Sequence, residues 1–197
     1  MKISRSGSWS PWFWANVLAF SFSFGLLAGA SQLVDLLGAH GPTALGLAAH
    51  VSAIFAGGAV LGFLQQRTLN LSPLDKKRWL LTSPLAFAVS FICGEIAGGL
   101  FFGLTIAMTL FGLLSGFWQS LVFRNYSNSA SWWILISGVG FTVAGLIAGA
   151  LLFILYSLLG AAFLEAPVIL SQGLIGAICG GVAGALTGSG LLRLPRK

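Results

Sequence analysis

Residues 112–119 read Gly112-Leu-Leu-Ser-Gly116-Phe-Trp-Gln119. On an α-helix the positions i, i+4 and i+7 of this stretch share one face. The same spacing occurs at Gly58, Gly62 and Gln65, and again at Gly180, Gly184 and Thr187. A companion motif precedes each copy: Gly25-Leu-Leu-Ala-Gly29, Gly94-Glu-Ile-Ala-Gly98 and Gly145-Leu-Ile-Ala-Gly149. In lipid, apolar side chains gain little by leaving an equally apolar solvent, so helices associate where small residues let backbones approach. All of these glycines are therefore expected at helix-packing positions, and the chain is expected to be three repeated helical hairpins related by pseudo-threefold symmetry.

Composition agrees with a membrane setting. Of 197 residues, 57% are hydrophobic and only 7% charged, against about a quarter charged in soluble domains, and the mean hydropathy is +0.95. The reading is an all-α integral membrane protein, a single membrane domain over 1–197 with repeats at about 11–70, 79–125 and 132–194. Six apolar runs approach or exceed the ~20 residues that cross a ~30 Å hydrocarbon core. They end near Leu37, run from Pro42 to Leu64, Trp79 to Phe102, Leu104 to Phe123 and Trp132 to Leu159, and start again at Pro167. Eighteen positions separate Gly94 from Gly112, against 33 and 35 in the flanking copies, so the middle hairpin should turn tightly near Gly103.

A net charge of +6 does not point to nucleic acid, because the basic residues form short clusters between apolar runs. Lys2 and Arg5, Arg67 with Lys76 to Arg78, Arg124, and Arg193 with Arg196 and Lys197 all fall at the termini or in two alternate loops. The positive-inside rule then puts both termini in the cytoplasm and the turns around His40, Gly103 and Glu165 outside. Lys2, Arg5 and Ala28-Gly-Ala30 imitate a cleaved signal peptide. Residues 25–30 match 145–150 deep in the chain, however, so the first run is expected to remain as a span.

Glu95 is the candidate intramembrane functional residue, since a carboxylate inside an apolar run is costly and such groups face a bundle interior, a cavity or a partner. Leu26 and Leu146 stand in its place in the sibling motifs. Gln65, Gln119 and Thr187 form a candidate polar ring, either as cross-helix hydrogen bonds or as a constriction. His50, inside the second run, has an imidazole that can ligate a haem or chlorophyll metal. Asp35 and Glu165 fall at the ends of their spans, where water can solvate them. Cys93 and Cys179 lie in apolar runs without metal-type spacing. No catalytic motif occurs and no lysine sits within a span, so neither a catalytic residue nor a metal site is expected.

The Gly112-x3-Gly116-x2-Gln119 element, Arg124 and the interfacial Trp132 resemble a loosely defined group of small, uncharacterised bacterial membrane proteins frequent in cyanobacteria. The likeness extends over all three hairpins, with Thr187 replacing glutamine in the third. It implies a bacterial plasma or thylakoid membrane and no activity. The expected role is a non-enzymatic accessory or scaffold subunit of a larger membrane complex, photosynthetic or respiratory. Seven Trp and 16 Phe exceed what two interfacial belts need, leaving aromatic surface for a partner or for chlorophyll, carotenoid or haem. The alternative is a small-solute transporter or channel component using Glu95. In either case lipid is the solvent, and nucleic acid is not a partner.

Overall fold

The computed structural model describes residues 9–36, 44–69, 71–98, 100–159 and 168–193. Its regular structure is entirely helical: α1 Trp9–Leu36, α2 Ala44–Thr68, α3 Pro73–Ala97, α4 Leu100–Phe123, α5 Trp132–Leu159 and α6 Val168–Arg193. All six are long and apolar enough to cross a membrane, as an integral membrane protein requires. Outward leucines such as Leu18, Leu85 and Leu170 are more than half exposed and suit a lipid-facing surface. The turns around His40 and Glu165, with Pro42, Pro167, Lys2, Arg5, Arg196, Lys197 and the Asp35 side chain, lie outside the described residues.

Two boundaries differ from the sequence expectation for identifiable reasons. The charged segment Asp75 to Arg78 is not a loop but the start of α3. Ser72 caps that helix, its Oγ accepting from the Asp75 N–H at 3.2 Å, and Pro73 occupies the first turn, where its missing N–H is not needed. The middle hairpin turns at Gly98 rather than Gly103. Gly98 has φ +74° and donates its N–H to the Glu95 carbonyl at 3.2 Å; the positive φ is the conformation glycine tolerates best. Gly103 is thereby inside α4, so close to α3 that a Cβ there would stand 2.7 Å from the Gly94 carbonyl oxygen.

Each helix packs on its neighbours in sequence, and α6 returns to α1 in an extensive contact, making a closed ring. The glycine stripes do not close the hairpins; they join each hairpin to the next. A Cβ at Gly58 would meet Pro84 Cα of α3 at 2.6 Å, and one at Gly62 would meet Ser83 Cβ at 2.7 Å. On α4, Gly112 and Gly116 press in the same way on Ser137 of α5, and on α6, Gly180 and Gly184 press on Asn16 of α1. The receiving helices share a spacing of their own: Trp12-x3-Asn16-x3-Phe20, Trp79-x3-Ser83-x3-Phe87 and Trp133-x3-Ser137-x3-Phe141.

The companion motif behaves differently. Gly94 and Gly145 are in close contact with α4, whereas a Cβ at Gly25 or Gly29 would meet only Ile169, at 3.8 Å, and one at Gly98 nothing within 4 Å. Gly98 is therefore a turn residue and not a packing position. The α6–α1 seam is tightest toward the basic loops; at the other end a Cβ at Gly25, Gly29 or Gly173 would stand in ordinary van der Waals contact. Between the two ends the axis is filled by phenylalanine. Buried Phe20 has Phe87, Phe111 and Phe141 around it at ring-centroid distances of 6.1, 5.9 and 5.6 Å.

Two predictions follow from this geometry. Gly58→Ala, Gly112→Ala and Gly180→Ala each force a methyl into a neighbouring backbone, an overpacking that costs about 1–3 kcal/mol, whereas Gly29→Ala has room. Thermal unfolding in detergent should separate the three from the fourth; equal Tm values for all four would contradict it. In a background lacking Cys93 and Cys179, single cysteines at His40 and at the exposed Asn128 should react with an impermeant thiol reagent from opposite sides of the membrane.

Candidate functional site

The basic end holds a buried hydrogen-bond network built from the repeated polar position. Gln65 Oε1 accepts from the Trp79 indole N–H and from Gln119 Nε2, both at 3.3 Å, and Gln65 Nε2 donates to Asn16 Oδ1 at 2.9 Å. Gln119 Oε1 accepts from the Trp133 indole at 2.7 Å. Each glutamine thus serves the tryptophan 14 residues later, on the helix its own glycine stripe touches. Thr187 completes the layer by accepting from the Trp12 indole at 2.8 Å, while Asn16 Nδ2 donates to the Trp12 carbonyl. Gln65, Gln119 and Thr187 are all buried, and the three indoles pack edge to face above them, Trp12 lying 6.2 Å from Trp79 and 5.8 Å from Trp133. The three polar positions do converge, but every one is engaged and capped by an aromatic ring. Their arrangement closes the axis.

One acid in this region carries no signal in the sequence reading. Asp75 is buried, and its Oδ2 accepts from the Tyr126 hydroxyl at 2.6 Å and from Ser72 Oγ at 2.8 Å. Asn125 donates to its other oxygen at 3.4 Å. The carboxylate pins the α2–α3 connection to the α4–α5 connection. Its position among Lys76, Lys77 and Arg78 makes it look like one more solvated loop charge.

At the opposite end all six helices line a cavity of about 450 Å³, within the range of small-molecule sites. Its inner part is apolar, formed by Phe24, Ala107, Leu152 and Ile175; its polar groups Ser31, Glu95 and Gln172 lie nearer the helix ends, and His50 on the wall. Glu95 and His50, separate candidates in the sequence, meet here: His50 Nε2 of α2 is 2.5 Å from Glu95 Oε1 of α3. The side chains remain partly accessible, His50 at 30% and Glu95 at 53%. Glu95 sits in the last turn of α3 rather than deep in a span, since the chain reverses at Gly98. Measured from the tryptophan of its helix, Glu95 corresponds to Ala28 and Gly149, both buried, and not to the Leu26 and Leu146 of the motif alignment. Among the described residues no group of three or more His, Cys, Asp or Glu side chains is placed to hold a metal ion.

The chain matches no protein-family model, no curated protein and no solved structure.

The network has a quantitative signature. Gln119→Leu strands the Trp133 indole, at about 1–3 kcal/mol for an unsatisfied buried group, and Gln65→Leu should cost more because it abandons Asn16, Trp79 and Gln119 together. Thr187→Val, nearly the same shape and leaving only Trp12 unpaired, should cost least. Thermal unfolding of the three variants in one detergent gives the order.

Proposed function

We propose that this is a non-enzymatic membrane protein that holds a small, largely apolar molecule in the cavity, with the Glu95–His50 pair reading its polar end. It would act as the binding component of a small-solute transport or carrier system. The observation that carries the reading is a cavity of about 450 Å³ with an apolar interior and an acid–imidazole pair 2.5 Å apart on its wall. A channel along the axis draws no support, because the phenylalanine layer and the indole-capped amides fill it. The proposal includes three hairpins in a pseudo-threefold ring, supported by the equal Gln-to-Trp spacing of two copies. With both termini cytoplasmic, the cavity faces the outside of a bacterial plasma or thylakoid membrane.

The accessory-subunit reading rested on aromatic side chains left over for a partner. Trp12, Trp79 and Trp133, with Phe20, Phe24, Phe87, Phe91, Phe111, Phe123 and Phe141, are instead buried within this chain. Exposed Trp9, Trp14, Trp118 and Trp132 sit toward the basic end, as an interfacial belt requires. About half of the described Trp and Phe side chains are thus taken up by the protein's own core, while Phe22, Phe55, Phe63, Phe102, Phe117 and Phe153 remain exposed to lipid or a partner.

A neutral probe tests this reading. In nanodiscs, 3-phenylpropan-1-ol should bind the wild-type protein saturably beyond its partition into protein-free discs. Leu104→Trp, which places an indole in the cavity, should abolish that binding without lowering Tm. Binding unaffected by Leu104→Trp would mean that the molecule sits elsewhere.

A further inference from the structure

We infer that the cavity selects molecules whose apolar body ends in a cationic nitrogen, a primary ammonium above all. This rests on the cavity being a binding site, as proposed above.

The first argument is the charge distribution. Among the described residues Glu95 is the acidic side chain at the cavity, and no Lys or Arg lines it. Arg67, Lys76, Lys77, Arg78 and Arg124 all belong to the other end of the ring, at the C-terminal ends of α2 and α4 and the N-terminal end of α3. An anion entering beside Glu95 finds no fixed cation except a protonated His50, which the same carboxylate already neutralises. An ionised Glu95 repels a carboxylate or phosphate and attracts a cation directly.

The second argument is hydrogen-bonding capacity. An ionised carboxylate accepts at both oxygens, and His50 engages only Oε1. Among the described residues no other side chain bonds Oε2. An ammonium, with three donors and no acceptor, can use that oxygen, and Ser31 of α1 and Gln172 of α6 add acceptor oxygens at the same end of the cavity. A hydroxyl can make one such bond but contributes no charge. The apolar body then lies toward Phe24 and Phe91, whose rings pack edge to face at 5.6 Å, so that the nitrogen remains near the helix ends and water. His50 holds Glu95 from α2 and keeps the carboxylate on the cavity wall rather than out among the lipid headgroups.

Three compounds of one shape separate charge from size: 3-phenylpropylamine, 3-phenylpropan-1-ol and 3-phenylpropanoate, titrated calorimetrically at pH 7 into the full-length protein in phosphatidylcholine nanodiscs, with empty discs as reference. The amine should bind about fivefold or more tighter than the alcohol, the upper end of what a partly exposed ion pair supplies, and the carboxylate weakest. Glu95→Gln should bring amine and alcohol together, while Glu95→Asp should retain the preference for the amine. Alcohol binding as tight as amine in the wild type overturns the cation selectivity and leaves the cavity reading standing. If none of the three binds saturably, the cavity reading fails and this inference with it. An amine preference that persists in Glu95→Gln also overturns the assignment, since the charge would then be read elsewhere.

Discussion

The bundle depends on satisfying two buried glutamine amides in surroundings that offer no water. Within hydrocarbon an unpaired polar group costs several kcal/mol, so Gln65 and Gln119 can occupy the interior only if donors and acceptors reach them from neighbouring helices. Indole N–H groups on the next helix do this, and they reach because the backbones are nearly in contact. Gly62 lies under Ser83 and the Trp79 carbonyl, Gly116 under Ser137 and Ile134, Gly184 under Asn16 and Phe13. Glycine contact and amide–indole bonding are therefore one device. A side chain at the glycine would lengthen the hydrogen bond one turn away, and loss of the hydrogen bond would leave little to hold the helices at that separation.

The far end lacks this device and is shaped by what replaces it. Between α3 and α4 the reversal at Gly98 keeps the helices together, and Gly94 against Gly103 is the result. Between α1 and α6 no such turn exists, Ile169 fills the gap beside Gly25 and Gly29, and the interior volume there is left to a cavity. The Glu95–His50 contact joins α2 to α3 at the same level. One end of the ring is thus close-packed and carries the buried amide–indole bonds, while at the other the Glu95–His50 contact lies beside the cavity.

Much of this was legible in the sequence. Length and apolar content called for six spans, and the i, i+4, i+7 stripes coincide with close backbone approaches on α2, α4 and α6. The stripes could not name their partners, because the periodicity of one helix says which face is small and nothing about which neighbour meets it. The Trp-x3-Ser/Asn-x3-Phe spacing supplies that information and was present at residues 12, 79 and 133, hidden because one copy carries Asn16 and because tryptophans beside basic loops read first as interfacial anchors. Aligning the companion glycines was misleading for a related reason: Gly25, Gly94 and Gly145 fall 13, 15 and 12 residues after those tryptophans, so they occupy different depths. Glu95 and His50 were each visible as costly residues, but their 45-residue separation hid their meeting, which the reversal at Gly98 and the α2–α3 contact bring about. Asp75 was invisible, since nothing in a run of charges marks the one that turns inward.

The ring closes through its two ends, with Trp12 of the first helix bonded to Thr187 of the last across 175 residues. During synthesis the first helix enters the membrane while its closing partner has yet to be translated. Until α6 arrives, the Trp12 indole has no native acceptor and the α1 surface that receives Gly180 and Gly184 faces lipid or the insertion machinery. The phenylalanine layer and the cavity likewise need all six walls. Completion of the core is therefore a late event governed by α6, and a ribosome that stops before α6 releases membrane-spanning helices with neither a finished core nor a complete cavity.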